Sequence, residues 1–175
     1  MAAQSLTTST GKPVTLRVLD IVEGTSVDGP GLRTSVYLAG CNHLCPGCHN
    51  PQSWDMGGGH EMTIDEIVEI IERNGFNVTL SGGDPLLQLP AVAILAERLH
   101  SLGYKIWCYT GYTWEEALAL SGIGHLLPFL EVMVDGPFDL THRDTTLLFR
   151  GSPNQRLIDV TRSLAGGKPI EFPLL

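Results

Sequence analysis

Three cysteines fall within eight residues, in the run Cys41-Asn42-His43-Leu44-Cys45-Pro46-Gly47-Cys48-His49-Asn50. Thiols crowded in this way bind metal or do redox chemistry, whereas a disulfide framework spreads its cysteines along a shorter secreted chain. Cys45-Pro46-Gly47-Cys48 alone has the spacing of a dithiol redox pair. Such a pair opens a helix directly after a strand; here Pro51 follows within three residues and a third thiol precedes it. A structural zinc site needs four protein ligands, commonly as two pairs well apart in sequence. The loop would have to recruit His43, His49 or Cys108, and the chain has no distal C-x-x-C or H-x-x-x-H pair. The third reading is an iron–sulfur cluster on three thiolates. Clusters are normally bound by four cysteines, so a set of three leaves one iron open to a substrate or cofactor. Cys108, between Trp107 and Tyr109, reads as a small buried hydrophobe.

A second candidate loop is Ser81-Gly82-Gly83-Asp84-Pro85. By composition it is an ordinary strand-to-helix turn, and only its company with the cysteine loop raises it above that. Gly57-Gly58-Gly59 lacks the Lys and Ser/Thr of a phosphate loop and reads as a flexible connector. Asp135, before Gly136-Pro137, is a turn former that can also point into a site.

The elements that must hold these loops alternate between strand and helix. Residues 16–22 and 34–38 are rich in Val, Leu, Ile, Thr and Tyr and predict strands, separated by the turn Asp28-Gly29-Pro30-Gly31. A long loop runs over 40–60. Thr63 and Glu66 then form a capping box, and Ile64, Ile67, Val68 and Ile71 keep helical spacing up to the C-cap at Asn74-Gly75. Residues 76–80 predict a strand, and Pro90 opens a second helix that Gly103 closes. A strand over 104–109, a short helix capped by Thr113 and Glu116, and a strand over 131–134 follow, with a weak strand over 157–160 before a Gly/Pro-rich tail. This order predicts an α/β fold with parallel strands and crossover helices. Ligands in such folds sit at the carboxyl ends of the strands. The cysteine loop, the Ser81–Pro85 loop, Thr110-Gly111 and Asp135-Gly136-Pro137 all follow strands and should therefore gather at one end. The units are too few for a complete eight-stranded barrel, so a partial one is expected. Residues 1–13, polar and rich in Ser and Thr, predict a flexible lead, with a single domain over 14–175.

Composition narrows the function. The 175 residues carry 11 Lys and Arg against 19 Asp and Glu, a net charge of −8, which argues against a nucleic-acid binder that would need a basic face. No apolar run approaches the ~20 residues of a membrane span, and the start of the chain lacks the apolar core of a secretory signal. A cytoplasmic protein is expected.

The C-x3-C-x2-C spacing resembles that of the radical S-adenosylmethionine enzymes, and Ser81-Gly82-Gly83-Asp84-Pro85 resembles their cofactor-binding Gly-Gly-Glu-Pro loop. Asp28-Gly29-Pro30-Gly31-Leu32-Arg33-Thr34 resembles activases of glycyl radical enzymes. Trp107-Cys108-Tyr109-Thr110-Gly111-Tyr112, Val134-Asp135-Gly136-Pro137-Phe138 and the segment from Arg150 to Arg156 resemble the branch acting on anaerobic ribonucleotide reductases. The chain departs from the family at Gly47, where an aromatic residue often stands, and at His49, where reductase activators tend to carry one. The resemblance implies a partial (βα) barrel with helices outside and a 4Fe–4S cluster on Cys41, Cys45 and Cys48. It further implies S-adenosylmethionine held near Gly47, Cys48, His49, Gly82, Gly83 and Asp84, the Asp84 carboxylate accepting from the cofactor's ammonium. It implies reductive cleavage of that cofactor to a 5′-deoxyadenosyl radical. The radical takes a hydrogen from a glycine of the large anaerobic ribonucleoside-triphosphate reductase, with a flavodoxin or ferredoxin as electron donor. A small radical enzyme acting on a free metabolite and a zinc-stabilised binding module are the alternatives.

Overall fold

The structure, a computed structural model, describes residues 11–174; of the lead expected over 1–13, residues 1–10 lie outside the described residues. Its strands are β1 (Thr15–Thr25), β2 (Arg33–Leu38), β3 (His60–Thr63), β4 (Asn77–Gly82), β5 (Ile106–Tyr109), β6 (Val132–Asp135) and β7 (Arg156–Asp159). The helices are α1 (Ile64–Asn74), α2 (Leu89–Ser101), α3 (Trp114–Leu118) and α4 (Val160–Gly166). All seven strands join one sheet in the order β3-β1-β2-β4-β5-β6-β7.

The α/β reading holds, and the all-parallel reading is corrected. Strands β2, β4, β5 and β6 run parallel, with α1, α2 and α3 in their connections. Strand β1 is antiparallel to both β2 and β3, and β7 is antiparallel to β6. The reason lies in the connections. A parallel crossover takes a dozen or more residues, usually a helix. Only residues 26–32 separate β1 from β2, and between β6 and β7 the sole helical element is a single turn, Leu140–His142. The sheet is therefore mixed.

Helix α1 forms where the capping signals place it. The Thr63 side chain accepts from the Glu66 amide while the Glu66 carboxylate accepts from the Thr63 amide at 2.7 Å, and Gly75 closes the helix at φ 69°. Its buried Ile64, Ile67, Val68 and Ile71 pack with Leu95 and Leu99 of α2 against Val36, Leu38, Val78, Leu80, Ile106 and Cys108. Side chains alternate across a strand, so the opposite face carries the other set. There Trp107, Val132, Val134 and Leu157 form a smaller cluster with Phe149 and Phe172. The helices α1 to α3 thus share one face of the sheet.

Two elements lie outside the sequence expectation. Strand β3 falls partly where a loop is expected, because His60-Glu61-Met62-Thr63 has no apolar alternation; its pairing with Thr15–Val18 of β1 makes it a strand. Helix α4 replaces the expected tail. Asp159 caps it by accepting from the Arg162 amide, and Gly167 ends it at φ 66°. Seven residues with two buried positions are too few to display a helical apolar stripe.

The wholly buried Leu99 sits where α2 meets the sheet. Leu99→Ala is expected to cost about 2–5 kcal/mol, from lost transfer energy and the cavity left behind; equilibrium denaturation would read it as a lower midpoint with an unchanged slope.

Candidate functional site

Four adjacent parallel strands place four loops at one end of the sheet, and the cysteine loop is the longest. Backbone bonds shape it. The Gly40 amide donates to the Ser53 carbonyl at 2.7 Å and the Cys41 amide to the Trp54 carbonyl at 3.2 Å, which closes the loop at its base. The Cys48 amide donates to the Cys45 carbonyl at 3.1 Å, making a tight turn over Pro46-Gly47. Gly47 stands at φ 72°, and a Cβ there would come within 2.7 Å of Cδ1 of Leu140. An aromatic residue at this position would meet both a left-handed backbone and the Leu140 side chain. The departure at Gly47 is thereby explained by the loop after β6, which supplies that side chain. His49 is exposed, its ring tilted against Phe138 of the same loop at 5.6 Å between centroids.

The two glycines of the second loop serve backbone approach. Gly82 has φ 108°, and a Cβ on it would lie 2.2 Å from the Leu38 nitrogen; on Gly83 it would lie 2.1 Å from the Gly40 oxygen. The loop after β4 therefore presses directly on the base of the cysteine loop. The Gly83 amide donates to Leu38 at 2.8 Å and the Asp84 amide to Gly40 at 2.6 Å.

These loops enclose a cavity of about 880 Å³ lined by Cys41, Cys45, Cys48, His43, His49, Ser81, Gly82, Gly83, Thr110 and Gly111. All three clustered thiols are half-buried and face this one space. Cys48, His49, Gly82 and Gly83 stand among its lining, while Gly47 and Asp84 do not. Cys108 lies away from it, wholly buried in the core beneath the helices. The donor set fits a cluster, in which each thiolate takes its own iron. A closed zinc site would need a fourth protein ligand beside these three thiols, and the remaining thiol, Cys108, is buried in the core away from them.

Sequence reasoning missed much of the lining. Tyr37 and Asp28 contribute from one side, Tyr109, Phe149, Phe138 and Arg150 from the other. The Asp28 carboxylate accepts from the hydroxyls of Ser35, at 2.8 Å, and Tyr37, and its carbonyl accepts from Thr79 at 2.8 Å. Burial, reinforced by Asp28, pushes the Tyr37 phenol above its ordinary range. Tyr109 is raised by burial too, its hydroxyl donating to the Phe149 carbonyl at 2.8 Å. Arg33 is 1% exposed. It donates to Thr79 Oγ1 and to the Val78 carbonyl, both at 2.7 Å, and lies 5.4 Å from the Trp107 ring centroid. Burial lowers its guanidinium to about 10. Asp28 and Tyr37 thus line the cavity, and Arg33, outside its lining, reaches Asp28 through Thr79; alternation alone places Arg33, Ser35 and Tyr37 on one face.

Asp135 is wholly buried and is not among the residues lining the cavity. It accepts from the Trp114 amide at 2.6 Å and from Nη2 of Arg156 at 2.6 Å, tying the start of α3 to β7.

Relatives named anaerobic ribonucleoside-triphosphate reductase-activating protein match this sequence. Those of Salmonella typhimurium and Escherichia coli K12 are each 36% identical over 141 residues, covering 74% of this chain and 89% of the relative. That of Vibrio cholerae is 38% identical over 141 residues, covering 74% and 88%. The chain belongs to the family of anaerobic ribonucleoside-triphosphate reductase-activating proteins. A family described as a 4Fe-4S single cluster domain also matches residues 27–158, which span every loop of the cavity. The solved structure of QueE from Escherichia coli shares a looser likeness, with a TM-score of 0.47 at 14% identity over 69% of this chain and 70% of its own.

The thiols of this family member divide by burial. Burial raises the Cys41 thiol and, far more, the wholly buried Cys108 thiol, which suppresses the reactive thiolate at Cys108. In metal-free protein a disulfide reagent is expected to modify Cys41, Cys45 and Cys48 under native conditions and Cys108 only after denaturation, as mass spectrometry of the labelled chain would show.

Proposed function

We propose that this protein is an oxygen-sensitive activase that uses a 4Fe–4S cluster and S-adenosylmethionine to generate a glycyl radical on an anaerobic ribonucleoside-triphosphate reductase. The observation that carries this reading is the set of three half-buried thiols on one loop, all facing a single cavity. Family membership supports the reductase as partner. Cys41, Cys45 and Cys48 would hold three irons, leaving the fourth to the cofactor. The cavity volume lies within the ~300–1,000 Å³ of small-molecule sites. Ser81, Gly82, Gly83, Cys48 and His49 line it, with Gly47 shaping the turn between two of the thiols. When bound, the cluster and cofactor supply one-electron cleavage of a carbon–sulfur bond and the radical that takes hydrogen from the partner's glycine.

The protein's own part is orientation and exclusion of water. Tyr37, Tyr109 and Asp28 have their polar groups engaged within the wall, and Phe138 and Phe149 add apolar surface. Residues 14–175 would act as one unit whose sheet curls as a partial (βα) barrel around the site. The electron donor would be a low-potential flavodoxin or ferredoxin. No helix among the described residues is long and apolar enough to cross a membrane, and we place the reaction in the cytoplasm.

Reconstitution with iron and sulfide under anaerobic conditions is expected to give a broad absorbance in the violet that bleaches with dithionite. Replacing Cys41, Cys45 or Cys48 singly should abolish it. Cys108→Ala should keep it, at a stability cost of about 1–2 kcal/mol. With cofactor, reductant and the reductase, electron paramagnetic resonance should show a glycyl radical on the reductase. A colourless protein holding one tight zinc would overturn the cluster; cofactor cleavage with no radical on the reductase would overturn the activase and favour a free metabolite as substrate.

A further inference from the structure

The family resemblance puts Asp84 on the cofactor's ammonium, and the geometry gives its carboxylate a different task. Asp84 is 0% exposed and is not among the residues lining the cavity. Its Oδ1 accepts from the Leu86 amide at 2.9 Å, and its Oδ2 from the Gly111 amide at 3.0 Å and from Nε2 of His43 at 2.8 Å. The Thr110 hydroxyl lies 3.0 Å from Oδ1 and 2.9 Å from Oδ2. An ionised carboxylate offers about four acceptor sites, and four protein donors occupy them. An ammonium would have to displace one of these donors from a buried position, leaving it unpaired.

His43 is the unusual member, because it belongs to the cysteine loop, two residues after Cys41 and two before Cys45. Its ring is fixed by contacts besides that carboxylate. Gly111 lies flat beneath it, so that a Cβ there would come within 2.4 Å of Cδ2. Tyr112 meets it edge-on at 4.5 Å between centroids with an 80° interplanar angle. The preceding Asn42 donates to the Tyr112 hydroxyl at 3.1 Å. The following Leu44 stands at φ 49°, a left-handed conformation that a residue with a Cβ holds only where its surroundings impose it.

We infer that Asp84 and His43 are a pair of positioning residues: Asp84 grips the imidazole of His43 and thereby docks the thiol-bearing loop on Thr110–Tyr112 at the end of β5. Asp84 holds this loop at two points, through its amide at the Gly40 carbonyl and through its carboxylate at His43. Those points bracket Cys41. The carboxylate of the Gly-Gly-Asp-Pro loop therefore sets where Cys41 and Cys45 stand relative to one another and to Cys48, and the cofactor's ammonium is left to groups that do line the cavity. This rests on the proposed cluster site, and the two readings fail differently.

The test uses full-length protein reconstituted with iron and sulfide, in the wild type and in His43→Ala, Asp84→Asn, the double variant and Gly111→Ala. Loss of a group that orients metal ligands typically costs about 10–100-fold in metal affinity. Iron released to a chelator should accordingly be about tenfold faster in each single variant, with the cluster's paramagnetic spectrum broadened or shifted. Because both residues act through one contact, the double variant should be no worse than either single one. Gly111→Ala, which displaces the ring of His43 without touching either partner chemically, should follow them. Affinity for S-adenosylmethionine, measured by calorimetry per intact cluster, should stay near the wild-type value. His43→Gln, which keeps a donor, should recover part of the retention. The inference is overturned if Asp84→Asn retains iron normally while its cofactor affinity falls about tenfold, the loss of a charged hydrogen bond. It is also overturned if His43→Ala leaves release and spectrum unchanged. If wild-type protein takes up no cluster, the proposed function itself falls, and this inference with it.

Discussion

A buried carboxylate survives in a protein only where donors replace the water it has lost. At Asp84 those donors come from three separate segments: Leu86 in its own turn, Thr110 and Gly111 after β5, and His43 in the cysteine loop. None of the three can move without unpairing the charge. The long loop between β2 and β3 has little regular structure of its own, a helical turn at Pro51–Trp54 apart. Its shape is therefore borrowed from β4 and β5, which are rigid because they lie in the middle of the sheet. The close backbone approach at Gly82 and Gly83 makes the same demand sterically. Together they turn a flexible, glycine-rich stretch into a fixed platform for thiols.

The other buried acid at this end of the sheet repeats the arrangement. Asp135, at the end of β6, takes the Trp114 amide and the Arg156 guanidinium, and Glu115 completes the set by pairing with Arg156 at 2.8 Å. The exposed Glu115–Arg156 half contributes little in water; the buried half costs much if broken, because it would strand a charge. Asp84 and Asp135 thus both serve architecture. Glycine backbone, aromatic rings and thiols contribute much of the cavity wall. Such a wall suits chemistry carried by a bound cofactor, where the protein supplies position and dryness.

Asp28 and Arg33 link the β1–β2 connection to Thr79 and Trp107 of the central strands. Thr79 joins them, donating to the Asp28 carbonyl and accepting from Arg33 Nε. Arg33 is held by carbonyl oxygens, a hydroxyl and the Trp107 ring. Burial disfavours the guanidinium as a cation and lowers its pKa, yet its fork of donors reaches the Val78 and Lys105 carbonyls and the Thr79 hydroxyl at once. The short antiparallel turn from β1 into β2 holds this segment close to both strands.

Local physics wrote several features directly into the residue order. The capping boxes at Thr63 and Thr113, the helical stripe of α1, the glycine at its end and the split of Ile106 and Cys108 from Trp107 and Tyr109 all depend on neighbours within a few residues. The spacing of Cys41, Cys45 and Cys48 is legible for the same reason, since one short loop carries all three. Pairing direction, by contrast, depends on where a distant strand lies, so β1, β3 and β7 could not be oriented from local pattern. The residue facing Gly47 comes from Leu140, and the group held by the Asp84 carboxylate in the cysteine loop is His43, 41 residues away. Sequence alone determined which residues could hold a cluster, and which segments would be the helices α1 to α3 or the central strands. Only the tertiary structure decided what each polar side chain at the strand ends is paired with. A hydrogen bond is made within about 3 Å of space, and separation along the chain does not record that distance.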